Sequence, residues 1–175
     1  MSALRPGPDE HAPYYSRYIS LVPDGDIVET LAAQWPDSAR QLGGLSEEKE
    51  RSRYAPGKWS VRESVAHLVD SERVFTGRVL WFARGATDAL PGMDQDAWVP
   101  ASGADGRAVV EHLAEWAAVR TGLVSLLRGL PEAAWTARGV ASGVEVSVRA
   151  LAWMAAGHEL HHRTVWRDAY GIDGP

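Results

Sequence analysis

Apolar residues recur at intervals of three and four along most of the chain, the spacing of one face of an α-helix. Ile27, Leu31, Trp35, Ser38 and Leu42 form one stripe, in a helix predicted from Asp24 or Asp26 to Leu42. Pro36 lies inside it and is expected to kink or divide it. A second helix opens at Ser60, where Ser60-Val-Arg-Glu63 reads as a capping box, and ends before Gly85. Its stripe is Val61, Val65, Leu68, Glu72, Phe75, Val79 and Phe82. A third helix is predicted from about Asp105 to Gly129, with Val109, Leu113, Trp116, Arg120, Leu123 and Leu127 in line. A fourth is capped by Ser147 and ends at Gly171. Its stripe is Val148, Leu151, Ala155, His158, His162, Val165 and Ala169.

Four helices and no convincing alternating strand make the expected fold all-α, a four-helix bundle with a long crossover connection. That connection is GATDALPGMDQDAWVPASGA, between the second and third helices. A structureless loop of such length is more often functional than idle, and Asp94, Gln95, Asp96 and Trp98 are placed to cover a site mouth or to pack as a crossover. RGVASGVEV, from Arg138 to Val146, forms either a small hairpin or a loop. Residues 1–23 read as an irregular N-terminal arm packed on the outside and carrying Tyr14, Tyr15 and Tyr18; residues 24–175 read as a single domain.

The stripes carry polar intrusions. Glu72, Arg120, His158 and His162 all fall at core positions, where charge or imidazole costs several kcal/mol unless paired or ligated. Two histidines one turn apart either grip one metal ion or sit as satisfied core residues. His161 lies roughly 90° off that stripe, and His67 lies near the edge of the second helix's stripe. Glu72 and Arg120 are the candidate catalytic pair: Glu72 as a base or a carboxylate behind a metal, Arg120 as a clamp for a substrate carboxylate. The alternative is a buried ion pair between the two. Glu159 and His161 flank the histidine stripe and read either as a surface pair or as residues supporting the metal ligands; His112 reads as a half-buried structural histidine.

The chain has 175 residues, 23 acidic against 18 basic, and no cysteine. The formal charge of -5 argues against a general nucleic-acid binder. Without cysteine there is no disulfide, thiolate ligand or cysteine nucleophile, so a metal must be held by His, Asp or Glu. No stretch approaches a membrane span and the start lacks a signal-like apolar region, which makes the cytoplasm the expected location. Eight Trp against two Phe fit a filled core, a ligand cleft, or both, with Trp59 and Trp153 the two placed nearest a pocket.

The segments YAPGKWSVRESVAHLVDSERVFTGRVLWFARG, LPGMDQDAW and RGVASGVEVSVRALAWMAAGHELHHRTVWRDAYG resemble the DinB/YfiT-like superfamily of metal-binding four-helix bundles, over roughly residues 24–171. The carrying motifs are H-L-x-D at His67 and H-x-x-H-H at His158. The resemblance implies a divalent metal, commonly nickel or zinc, held by His67, His158 and His162. It further implies transfer chemistry on a small-molecule electrophile with a low-molecular-weight thiol such as bacillithiol, mycothiol or glutathione. Metal-dependent hydrolysis, and a metal-binding protein without turnover, stay open beside it, and a homodimer is expected.

Overall fold

The computed structural model describes residues 4–174, and four long helices dominate it. Helix α2 (Ile27–Leu42), α4 (Val61–Ala83), α6 (Val109–Arg128) and α7 (Val148–Asp168) form the bundle, with short helices α1 (Ser16–Ile19), α3 (Glu47–Arg51) and α5 (Gln95–Ala101) between them. Strands β1 (Arg138–Ala141) and β2 (Val144–Ser147) pair as an antiparallel hairpin. Both α4 and α2 pack against α6 and α7, so α2 and α4 lie diagonally opposite. The connections α2–α4 and α6–α7 therefore each cross the bundle, whereas the long α4–α6 connection, expected to be the crossover, joins neighbouring helices and carries α5.

Local chemistry sets the helix ends. Ser60 Oγ accepts from Glu63 N while Glu63 Oε2 accepts from Ser60 N, the reciprocal box expected at the start of α4. Ser147 Oγ accepts from Ala150 N at the start of α7. Helix α6 starts at Val109, four residues later than the sequence suggests, because Asp105 is engaged elsewhere. Its carboxylate accepts from Ser60 Oγ and from Arg53 Nη2. Pro36 lies inside an α2 assigned as one continuous helix. The hairpin turns through Ser142 and Gly143, with φ of 55° and 78°. Positive φ at both positions matches the twist of a two-residue hairpin.

The N-terminal arm differs from expectation. It is wound into short helical turns, and Tyr18, Ile19 and Val22 are buried in the bundle rather than laid on its outside. Two contacts explain this. Glu10 is buried and receives hydrogen bonds from Arg149 and Ser147. Burial alone would push its carboxyl up, but bonds from Arg149, the Gly7 backbone and Ser147 outweigh it and hold the pKa at about 2. Where α1 crosses α7, the absent side chain of Gly157 makes the room: a Cβ there would stand 2.1 Å from the Tyr18 carbonyl oxygen.

One polar layer divides the core. Val61, Val65, Leu68, Val109, Leu113, Trp116 and Trp166 pack in one apolar cluster, and Phe75, Val79, Phe82, Leu123, Leu127, Leu151 and Trp153 in another. Between the two, at corresponding levels of the four long helices, fall Ser38, His67, Glu72, Arg120, His158, Glu159 and His162, all buried.

Candidate metal centre

Helices α4 and α7 bring His67, His158 and His162 together. One potential ligand nitrogen from each lies within 4.8 Å of the others. His67 Nε2 and His158 Nε2 are 3.3 Å apart, and the His158 and His162 ring centroids are 4.7 Å apart. Burial of His67 was not evident from its helical phase; it follows from α4 packing between α6 and α7, which covers a wider arc than one stripe. His161 is only partly buried and stacks edge-on to Tyr18, outside the cluster.

Burial drives the His67 pKa down from an ordinary 6.5 to about 4. It puts His158 and His162 well below 6.5 too, reinforced at His158 by His67, His161 and Arg17 and at His162 by His158, His67 and His161. All three are therefore neutral lone-pair donors at neutral pH. Ser64 Oγ accepts from Trp166 Nε1 at 2.9 Å and lies 3.3 Å from His162 Nδ1. With two lone pairs, that oxygen can take a proton from both, which leaves His162 Nε2 bare. His67 Nδ1 is buried with no hydrogen-bond partner among the described residues. The nitrogen that faces the cluster is the other one, Nε2, 3.3 Å from His158 Nε2. Three neutral nitrogens facing one point, with no thiolate and no carboxylate among them, fit a borderline divalent ion such as zinc or nickel.

In protein stripped of metal, these shifts link stability to pH. The unfolded chain's histidines take up protons below about pH 6.5, whereas His67 in the folded chain does so only near pH 4. Stability is thus fully present above about pH 6.5 and falls as pH drops toward 4, by about 1.4 kcal/mol per unit per histidine. Urea unfolding of chelator-treated protein at about pH 7.5 and 5.5 should show a clear drop in midpoint at the lower pH; equal midpoints would contradict buried, neutral histidines.

Two cavities of about 270 Å³ each flank the cluster. Tyr14, Tyr15, Tyr18, His67, Ser71, Val74, Phe75, Arg78, Met93, Gln95, Ser142 and His158 line the first, and no carboxylate is among them. The second lies on the His162 side, with Trp59, Ser64, Gln95, Asp96 and Tyr170 in its wall. Gln95 and Asp96, from the long connection, therefore do reach the site, and Trp59 packs 4.7 Å from the His67 ring. Trp153 lies instead in the apolar core, with Arg5 over its ring. The tyrosines of the arm were not foreseen. Their signal was three aromatics within five residues, masked by prolines and a missing helical period.

Glu72 and Arg120 are brought together, but with each other. Arg120 Nε and Nη2 donate to the two Glu72 oxygens at 2.6 and 2.8 Å, and Nη2 donates to Glu159 Oε2 at 2.8 Å. Trp116 Nε1 completes Glu72, Ser38 Oγ completes Glu159, and Arg120 Nη1 reaches the Leu31 carbonyl. Neither Glu72 nor Arg120 is among the residues lining the two cavities. Glu159 is fully buried in this network and is not part of a surface pair, because α1, α2 and α4 together enclose this level of α7. His112 is likewise fully buried, its Nε2 3.1 Å from the Ala104 carbonyl.

The sequence model of the DinB superfamily matches residues 30–165. Among solved structures, YfiT from Bacillus subtilis, described as a probable metal-dependent hydrolase with an unusual four-helix bundle topology, is similar at a TM-score of 0.66 and 18% identity, over 90% of this chain and 86% of YfiT. A mycothiol-dependent maleylpyruvate isomerase is similar at a TM-score of 0.66 and 16% identity, over 82% of this chain. The chain spans 60% of the isomerase's length. At these identities the likeness is one of fold. No curated protein sequence matches.

Proposed function

The chain belongs to the DinB superfamily, and from that premise we propose that it is a metal-dependent enzyme transferring a low-molecular-weight thiol to a small electrophile. The observation that carries this reading is a three-histidine cluster opening onto a cavity whose lining holds no carboxylate. His67, His158 and His162 would hold the divalent ion, nickel or zinc by the chemistry of the donors. Such an ion supplies Lewis acidity that lowers the pKa of a thiol at the site, as it would of water.

The protein's own residues do the rest. Phe75 and the tyrosines of the arm wall the cavity and restrict water. Ser64 orients His162, and Ser71 Oγ stands 3.4 Å from His67 Nε2. Glu72, Arg120 and Glu159, with Ser38 and the Leu31 carbonyl, tie the four long helices at the level of the cluster, a positioning role and not one in contact with substrate. In the transfer a sulfur–carbon bond forms, the bond from carbon to the leaving group breaks, and the thiol proton departs to solvent. No general base is needed for that step, in keeping with the cavity's lining. Bacillithiol and mycothiol are the candidate thiols, and a cytoplasmic homodimer belongs to the same reading. Hydrolysis is the second reading: Asp96, beside His162 in the other cavity, is the carboxylate that could serve it as base.

The test is consumption of free thiol with monobromobimane by metal-loaded protein. Transfer predicts loss of thiol above the uncatalysed rate, abolished by chelation. Ester or amide cleavage that proceeds without any thiol would contradict it and favour hydrolysis.

A further inference from the structure

Among the described residues three arginines are buried, Arg62, Arg78 and Arg120. Arg62 is paired with Glu50, and Arg120 with Glu72 and Glu159. Arg78 has no carboxylate partner among the described residues. Its Nη2 donates to the Pro91 carbonyl at 2.8 Å and to Ser142 Oγ at 2.9 Å, and with the Tyr15 side chain these hold it through neutral groups. Its side chain lines the cavity beside His67 and His158. Burial works against its charge and Tyr15 works for it, yet a guanidinium does not give up its proton in a protein. A buried cation without a counter-anion is costly. Arg17, which is exposed, donates to Tyr18 Oη at 2.7 Å and packs over the Tyr14 ring, so a second cation stands near the cavity wall. The wall itself supplies no anion.

We propose that Arg78 is the anion-recognition residue of this cavity, and that the small molecule bound there carries a carboxylate. This rests on the cavity being the reaction site, and narrows its ligands to carboxylate-bearing compounds. The Pro91 carbonyl and Ser142 hold the guanidinium through Nη2 alone, so a carboxylate would meet its remaining N–H groups without the cation first having to be ordered. The carboxylate belongs either to the thiol or to the electrophile, and the two are separable.

Calorimetric titration of the metal-loaded protein with succinate, 3-mercaptopropionate and 2-mercaptoethanol tests this. Succinate is expected to bind about 10-fold or more weakly to Arg78→Gln than to the wild type, and Arg78→Lys should recover part of the loss, since the charge is kept. A purely structural role for Arg78 would not give that partial rescue, and helix content by circular dichroism reports whether the variants fold. If 3-mercaptopropionate outcompetes both succinate and 2-mercaptoethanol, the carboxylate belongs to the thiol. If succinate binds through Arg78 but the acidic thiol has no advantage over it, the carboxylate belongs to the electrophile. Arg78-dependent succinate binding with no binding of either thiol would uphold the anion site while contradicting the thiol-transfer reading. Carboxylate binding that is absent from the wild type, or unchanged in Arg78→Gln, would overturn the proposal.

Discussion

Replacing His158 with alanine is expected to strip the protein of its divalent ion, while replacing His161 leaves metal affinity unchanged. His158 shares the cluster with His67 and His162, and its Nε2 lies 3.3 Å from that of His67. His161, although adjacent in sequence to His162, points its ring toward Tyr18. Loss of an outer hydrogen-bond partner costs a metal site about 10–100-fold in affinity; loss of one of three donors should exceed that. Competition against a chromophoric chelator measures both variants on one scale. Equal effects at His158 and His161 would mean that the cluster is not the metal site. The Ser64→Ala variant should fall between them, since Ser64 acts on His162 only through Nδ1.

The second large effect concerns the other half of the polar layer. Arg120→Met should cost about 3–5 kcal/mol of stability at neutral pH, because it leaves the Glu72 and Glu159 carboxylates buried without their shared cation. Against a typical total of about 5–15 kcal/mol that is a large fraction. The deficit should shrink as pH falls. Uncompensated buried carboxyls hold their protons more tightly in the folded than in the unfolded chain, so the variant gains stability relative to wild type on acidification. Urea unfolding of both proteins at neutral and mildly acidic pH reads this. A loss below about 1 kcal/mol would contradict the arrangement of the network. A fully active, merely less stable variant would agree with Arg120 acting on helix placement and not on substrate.

Much of this was legible in the sequence because helical phase reports burial directly when one face is covered. Every stripe position on α4 and α6 is buried, Glu72 and Arg120 included. The same reasoning picked His158 and His162 over His161. It failed where a helix is enclosed on more than one side: His67 and Glu159 lie off their stripes, yet packing of α4 and α7 against several neighbours buries both. It failed again in the arm, where Glu10 and the gap at Gly157 fix Tyr18 through contacts far apart in sequence. What phase cannot give is partnership. Four polar intrusions suggested one shared cause, but the layer holds two: a histidine cluster between α4 and α7, and an ion network that also reaches α2 and α6. Arg78 escaped the reading because its significance is a missing partner, which appears only once every nearby carboxylate has been placed.

The most direct test of the central claim is elemental analysis of the purified, untagged wild-type protein, before and after reconstitution with nickel and zinc. The account predicts about one divalent ion per chain, lost on unfolding or chelation and restored on refolding with metal. No bound metal under any of these conditions would contradict it, leaving His67, His158 and His162 as packed core residues and the proposed chemistry without its basis.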